Sequence, residues 1–227
     1  PLVVYVPPKF RDLCPHAAGS QTDRLVSFVD FPATAISLAG AAPPAILQGV
    51  PFLGEHQGKP RQYVFGARSR ADDMFEVSRS VSDGRYFYVR HFMPHLPYIQ
   101  NSVIFDDSKS SLKELRRLHQ AGKLNEHAAR MWAAHKPLEE LYDLKQDPHE
   151  LNNLAQSAEH ADIKEKLQAE LKRWILEHRD SGFLPEAEYQ VRAAAAGSTP
   201  FDIVQDDRTF DLAASLDAAW RVGDDQV

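Results

Sequence analysis

The sequence predicts a mixed α/β chain, in which an α/β segment is followed by a small antiparallel sheet covered by a long helix. Residues 2–6 are an unbroken apolar run closed by two prolines, which fits a strand buried on both faces. From Arg61 the apolar period shortens to two residues, the period of antiparallel strands. Large side chains then recur at helical spacing, at Ile163, Leu167, Leu171, Trp174, Ile175 and His178. The expected class is α/β, with an α+β arrangement in this chain.

The first helix is predicted to follow the first strand, as half of a βαβ unit. Asp30 is its expected N-cap, with Ser27 as the alternative, because short polar side chains accept hydrogen bonds from the first helical N–H groups. Gly40 is expected to end the helix, since glycine tolerates the left-handed conformation found there. One face is apolar at helical spacing, with Ala33, Ile36 and Ala39.

The antiparallel sheet is predicted from short alternating runs. Residues 63–65 and 74–77 read as strands, and residues 78–81 and 86–89 read as a hairpin around the turn Asp83-Gly84.

Two short helices are predicted between this hairpin and the last strand. One ends at Gly122 and the other begins after Asn125. The last strand, around residues 141–144, stops at Asp147-Pro148, because proline cannot donate to a strand ladder. The long helix follows.

Composition excludes several classes of protein. With a formal net charge of −6, the 227-residue chain gives no support to nucleic-acid binding, which favours a basic surface. No apolar run is long enough to span a bilayer, and residues 2–6 lack the charged flank and length of a secretory signal. The single cysteine, Cys14, excludes an internal disulfide and a multi-cysteine metal site. A chain that opens on an apolar strand without methionine is expected to be a piece of a longer one.

Residues 140–155 carry a family resemblance. They read Glu-Leu-Tyr-Asp-Leu, two residues, Asp-Pro, one residue, Glu, and then Asn-Leu-Ala, which resembles the closing segment of the sulfatase family in its C-terminal subdomain. Residues 25–34, 38–40, 48–53 and 79–92 extend the resemblance, which covers roughly residues 1–186.

The resemblance also divides the chain, with two departures from the family pattern. It implies the end of an alkaline-phosphatase-like α/β domain over residues 1–58 and the C-terminal subdomain over 59–186. Residues 187–227, with the alanine run 193–196, are expected to be a linker and the lead into a possible further domain. Ser82 and Phe87 stand where family members commonly carry Arg and Lys, which removes two positive charges.

The resemblance implies a function for the parent protein. Sulfatases hydrolyse sulfate esters or sulfamates with a formylglycine made from Cys or Ser and with a bound calcium ion. The only cysteine context here fails the formylglycine motif, because Pro15 stands one place early and Ala18 replaces the required arginine. The resemblance implies that the longer parent protein acts on a sulfated glycan, in the periplasm or outside the cell. Its nucleophile and calcium ligands are expected upstream of Pro1, and this chain alone is expected to be inactive.

Two other functions remain open at this stage. A phosphoester or phosphonate hydrolase would share the large-domain fold, and a binding or interaction module would lack a catalytic half altogether.

Five residues are candidates for binding substrate. Arg68 and Arg70 are expected on a polar loop after the strand 63–65, where guanidinium groups suit sulfate or carboxylate. His91, His95 and Tyr98 lie on or beside a proline-stiffened connector and could add hydrogen bonds and a stacking face. The competing interpretation is surface ion pairing for the arginines and packing for Tyr98 and His95.

No metal site is predicted. The pairs Asp72-Asp73, Asp106-Asp107 and Asp206-Asp207 read as solvated loop charges. The prolines around His91 and His95 make that segment extended, which removes the helical spacing that a histidine pair needs.

Overall fold

The structure is a computed structural model that describes residues 2–71, 73–100, 109–206 and 208–222. Its contacts form two compact units, one of residues up to Phe65 with 82–84 and one of residues 66–81 with 85 onward. The helices and strands of the described chain are α1 (Asp30–Leu38), β1 (Val64–Ala71), β2 (Met74–Ser82), β3 (Tyr86–His91), α2 (Ser110–Gln120), α3 (Glu126–Arg130), β4 (Glu139–Asp143), α4 (Ala161–Glu177), α5 (Glu186–Ala196), α6 (Pro200–Gln205) and α7 (Leu212–Arg221).

The first unit is organised around the polar face of helix α1. Asp30 is buried and accepts backbone hydrogen bonds from Ser27 (2.9 Å) and Val50 (2.7 Å), and it is ion-paired with Arg61. One turn later, Thr34 accepts from the backbone N–H of Phe52 at 3.1 Å. The helix therefore binds the following loop by hydrogen bonds as well as by packing. Asp30 is the first helical residue, and its side chain does not form the expected N-cap bond.

Residues 2–6 do not form the predicted strand. Val3 is 90% exposed and Tyr5 is 81% exposed. A strand is held by hydrogen bonds to a neighbouring backbone, and none of the described residues offers one to this run. Strand propensity alone was not enough to form the element.

The second unit contains most of the predicted sheet, in the order β1-β2-β3-β4. Two and three residues connect the first three strands, lengths that allow only antiparallel neighbours. Strand β4 pairs antiparallel with β3, so that Arg90 lies opposite Glu139 and Tyr88 opposite Leu141. The runs 74–77 and 78–81, expected as separate strands, are one continuous strand. The hairpin turn at Gly84 has the positive φ that favours glycine.

Helix α4 covers one face of this sheet, as predicted. Its Leu167, Leu171 and Ile175 are fully buried. Gln168 donates to the Glu139 carboxylate at the end of β4. The 3.6-residue period was therefore a correct guide to the buried stripe.

The alanine run 193–196 is helical. It forms the end of α5, and Gly197 closes that helix with a φ of 61°. Alanine has the highest helix propensity of all residues, which explains the outcome. Trp220 of α7 is buried against Arg90 of the sheet, with the guanidinium 5.0 Å from the ring centre. This C-terminal segment therefore packs into the second unit. The predicted domain limits at 58 and 186 stay predictions.

A buried ion pair joins β2 to the segment that follows α4. Arg79 is 1% exposed and binds both carboxylate oxygens of Asp180, at 2.5 and 2.8 Å. A side-chain carbon at Gly182 would lie 1.9 Å from the Arg79 guanidinium, so the loop can pass this close only with glycine.

None of the helices in the described part of the chain has the length and apolar character needed to cross a membrane.

Candidate functional site

The candidate site is built on Glu140, a buried carboxylate and the second residue of β4. Successive side chains of a strand point to opposite faces, so Glu140 turns away from the face that α4 covers. His91 Nε2 lies 2.7 Å from one carboxylate oxygen, to which the Tyr98 hydroxyl also donates. The Tyr142 hydroxyl donates to the other oxygen at 2.6 Å. Three side chains from three segments thus converge on one acid.

These contacts keep Glu140 ionised. Burial by itself would raise the pKa of Glu140, but the hydrogen bonds from His91, Tyr142 and Tyr98 outweigh it and hold the pKa below its ordinary value. The same burial and the same carboxylate raise the pKa of both tyrosine hydroxyls. The tyrosines therefore remain protonated donors.

A second layer of contacts fixes the orientation of His91. Its Nδ1 lies 2.9 Å from the Ser78 hydroxyl, so both ring nitrogens have partners. Its ring meets Tyr98 edge to face, with centroids 5.8 Å apart. Beside them, Lys136 and Glu76 form a buried ion pair, and the Lys136 ammonium lies 5.9 Å from the Tyr98 ring centre.

Above Glu140 lies a cavity of about 510 Å³. It is enclosed by α3 with the loop after it, by β4, and by the turn that follows β4. Its lining combines apolar, hydrogen-bonding and charged side chains: Tyr98, His127, Arg130, Met131, Ala133, His135, Pro137, Glu140, Tyr142, His149, Glu150, Leu151 and Asn153. A concave site with a few convergent polar groups is the usual form of a small-ligand site.

The turn after β4 forms one wall of the cavity. Asp147 accepts from the backbone N–H of Asn152 at 2.7 Å. Asn153 accepts from the N–H of Leu141 at 3.0 Å and donates to the carbonyl of Glu139 at 2.9 Å, which attaches the turn to the strand. These hydrogen bonds are what the Asp-Pro…Asn-Leu-Ala motif contributes to the structure.

Glu150 is held in an uncommon conformation within this turn. Its φ is 55°, in the left-handed region that non-glycine residues seldom adopt. Burial, together with the charges of Glu140 and Asp147, raises its pKa. Strained residues of this kind cluster at binding sites, where the surrounding structure holds them in place.

The opposite wall carries the cationic group of the cavity. Arg130 donates through one terminal nitrogen to the carbonyl of Leu151 (2.7 Å) and through the other to His127 Nδ1 (2.7 Å). Arg130 and His127 are both exposed. Since arginine cannot accept a hydrogen bond, the Nδ1 of His127 is the acceptor, and the neutral ring carries its proton on Nε2.

The structure brings together two of the five predicted substrate-binding residues. Tyr98 lines the cavity, and His91 lies beneath it behind Glu140. His95 is exposed and is not among the lining residues.

The expected loop position of Arg68 and Arg70 is wrong. Both lie within strand β1, two residues apart, so their side chains share one face of an edge strand and both residues are exposed. Arg70 is 3.2 Å from Glu186. The strand runs on to Ala71 because its neighbour β2 provides a pairing partner along that length, which the polar composition did not reveal.

The described residues do not fit the calcium ion or the formylglycine that the resemblance implies for the parent. Across residues 2–71, 73–100, 109–206 and 208–222, no group of three or more His, Cys, Asp or Glu side chains could hold a metal ion. Cys14 is half-buried, and its thiol lies 3.5 Å from the carbonyl of His16. Residues 72, 106, 107 and 207 of the acidic pairs lie outside the described residues.

Sequence reasoning missed the central acid and most of the cavity. Glu140 was identified only as part of a motif, and Arg130 not at all. One signal was available: two consecutive acids, Glu139 and Glu140, precede apolar residues of the same strand, and an acid that is buried there requires partners, because an unpaired buried charge is costly. The partners themselves come from distant segments and carry no common pattern.

Two named sulfatases are similar in sequence to this chain. The chain is 36% identical over 188 residues to an ulvan-active sulfatase of Formosa agariphila, a match that covers 83% of this chain and 30% of that protein. A second ulvan-active sulfatase of the same organism is 33% identical over 168 residues, covering 69% of this chain and 30% of that protein. This chain thus spans about 30% of the length of the curated relatives it matches. No protein-family profile matches the chain.

A solved structure of a 2-O GAG sulfatase is also similar, with 24% identity and a TM-score of 0.47 over 71% of this chain and 27% of that chain. A score below 0.5 does not by itself establish a common fold, so the relationship rests on the two sequence matches. They agree with the resemblance carried by the strand-and-turn motif of β4. We conclude that the chain belongs to the sulfatase family.

Proposed function

We propose that the protein containing this chain hydrolyses sulfate esters, or sulfamates, of a sulfated glycan, and that this chain supplies its C-terminal part. The observation that carries the proposal is the 36% identity, over 83% of the chain, to a sulfatase named for its action on ulvan. A sulfated polysaccharide of that type is therefore the first substrate to test. Action in the periplasm or outside the cell belongs to the same proposal.

Formylglycine and calcium are proposed for the complete protein and not for this chain. The described side chains do not provide a set of ligands, so no catalytic step is assigned to them. What they can provide is binding and orientation of the glycan around the sulfate that is cleaved. A polyanionic substrate carries charge beyond that one group, and arginine pairs with sulfate and carboxylate through two parallel hydrogen bonds.

Arg68, Arg70, His91, His95 and Tyr98 remain the proposed substrate-binding residues, with different tasks. Arg68 and Arg70 share an exposed face of β1 and could contact an acidic sugar directly. Tyr98 faces the cavity, whereas His91 acts through Glu140 as a positioning residue. His95 is exposed on the connector.

The test of the reaction is release of sulfate by the complete protein. With ulvan oligosaccharides as substrate, we expect inorganic sulfate to accumulate, whereas this chain alone should give none. Phosphate release from a phosphomonoester, without sulfate release, would favour the phosphoester hydrolase. Absence of both activities in the complete, correctly processed protein would favour a binding module.

The test of the binding role uses Arg70→Ala and Arg68→Ala in the complete protein. Losing a charge-assisted hydrogen bond should lower kcat/KM for an acidic oligosaccharide by about 1–3 kcal/mol, with little change for a small aryl sulfate. Glu186→Gln is a matched control, because it removes the ion-pair partner of Arg70 and leaves the guanidinium in place. Equal losses on both substrates would indicate a structural role for these arginines.

A further inference from the structure

We propose that the cavity above Glu140 binds one anionic sugar residue of the glycan, with Arg130 as the group that pairs with its carboxylate or sulfate. This site is separate from the exposed face of Arg68 and Arg70, neither of which lines the cavity. The inference extends the proposed function, because it assigns a place to a sugar that is not the one being cleaved.

The lining of the cavity suits a sugar ring. Met131, Pro137 and Leu151 present apolar surface, which packs against the C–H face of a pyranose. Asn153 and the tyrosine pair bring amide and hydroxyl groups to the same space. A volume of about 510 Å³ lies within the range of small-ligand sites.

The lining carries charges of both signs: the carboxylates of Glu140 and Glu150 and the guanidinium of Arg130. The carboxylate of Glu140 already accepts hydrogen bonds from His91, Tyr98 and Tyr142, so three of its acceptor positions are occupied. Glu150 lines the same space, and burial together with the charges of Glu140 and Asp147 raises its pKa. Arg130 supplies the positive charge with which an anionic sugar would pair.

Arg130 is arranged to bind a further group. The described contacts to Leu151 and His127 use two of the five N–H donors of its guanidinium. These contacts fix the plane of the side chain without neutralising its charge. His127, with its proton on Nε2, adds a second donor beside it.

The surrounding sequence supports the same sign of ligand. Residues 109–130 contain six Lys and Arg side chains against two Glu, in a chain whose formal net charge is −6. Arg130 is the member of this set that lines the cavity, and positive charge along the segment that leads to it attracts anionic ligands.

The experiment measures binding by calorimetry to the complete protein. The probes are an unsulfated oligogalacturonate, a sulfated oligosaccharide of neutral sugars, and neutral maltohexaose. We expect binding of at least one acidic probe and none of maltohexaose, and the first two probes distinguish a carboxylate from a sulfate. Arg130→Gln should weaken that binding at least about tenfold, the scale of one charge-assisted hydrogen bond.

Arg173→Gln is the matched control. Arg173 is an exposed, ion-paired arginine on α4, outside the cavity, and its loss should leave binding unchanged. If Arg130→Gln lowers the melting temperature, Met131→Glu provides a second test. It places a carboxylate on an exposed part of the lining and should weaken binding by a similar factor.

Two results would overturn the inference: wild-type affinity in both cavity variants, or equal affinity for maltohexaose and the acidic probes. These results are independent of the reaction itself. Sulfate release with unchanged binding in the variants would remove the cavity proposal and leave the sulfatase. Binding that depends on Arg130, in a protein that releases no sulfate, would leave the cavity proposal and remove the sulfatase.

Discussion

The two faces of the antiparallel sheet use neighbouring glutamates in different ways. Glu139 points to the face covered by α4, where it accepts hydrogen bonds from Tyr88 (2.6 Å) and Arg90 (3.0 Å) and lies 3.4 Å from the Lys164 ammonium. Glu140 points to the opposite face, where His91 and two tyrosines hold it and a cavity lies above. Both acids have a pKa below the ordinary value, although burial opposes this, because hydrogen bonds and nearby cations outweigh the burial.

The difference lies in what closes each cluster. On the first face, a helix and the buried Trp220 seal the cluster, so its charges serve the packing of the unit. On the second face, the cluster is the floor of a space lined by exposed residues. A buried polar network is therefore not a sign of function by itself. The opening beside it is the informative feature.

The largest effect is expected from breaking the sealed cluster. Arg90→Ala removes a buried cation from Glu139 and its bond to the carbonyl of Trp220, and it should lower the free energy of unfolding by about 3–5 kcal/mol. The loss is measured by urea unfolding of the complete protein, from the transition in which this region unfolds. Arg173→Ala should cost less than about 1 kcal/mol, because its ion pairs are exposed. A similar loss in both variants would mean that Arg90 does not belong to a cluster from which solvent is excluded.

A smaller effect is expected from Glu140→Gln, which keeps the shape of the side chain and removes its charge. Its amide nitrogen would face donors, at a cost of about 1–3 kcal/mol near neutral pH. The depressed pKa of Glu140 stabilises the fold above the ordinary value of 4.5, and this contribution is lost as the pH falls through the folded-state pKa. The unfolding curves of the wild type and the variant should therefore converge in acid. A difference that stays constant from pH 7 to pH 3 would exclude the ionised form of Glu140 as its source.

The smallest effect on stability is expected at the cavity wall. Arg130 is exposed, so Arg130→Ala should change the free energy of unfolding by about 1 kcal/mol or less. Thermal unfolding of the variant beside the wild type provides the measurement. A loss as large as that of Arg90→Ala would contradict the contrast between the two faces, because it would make this wall part of the core.

Much of the fold was predictable because it follows from local patterns. The helical stripe of α4, the hairpin turn at Gly84 and the last strand all occur where the periodicity and turn residues indicated. The differences from these predictions have separate causes. Residues 2–6 have strand propensity without a neighbour among the described residues, and the alanine run has helix propensity that was interpreted as a linker.

The site was less predictable than the fold, since its members meet only in three dimensions. Tyr98 and Glu140 are 42 residues apart, and their hydrogen bond depends on the path of the connector between β3 and α2. Arg68 and Arg70 illustrate the reverse case. Their residue types suggested a binding loop, but pairing with β2 placed them inside an edge strand.

The two consecutive glutamates of β4 also affect how this strand finds its correct partner during folding. If β4 slid by one residue, Glu140 would stand opposite Arg90 in place of Glu139. An ion pair between Arg90 and a glutamate would form in either alignment, and it therefore cannot select the correct one by itself. The same slide would put Leu141 among the donors that now hold Glu140, and the Tyr142 hydroxyl into the apolar layer under α4. The correct alignment is therefore selected by Leu141 and Tyr142, the two residues that a shift would place on the wrong side.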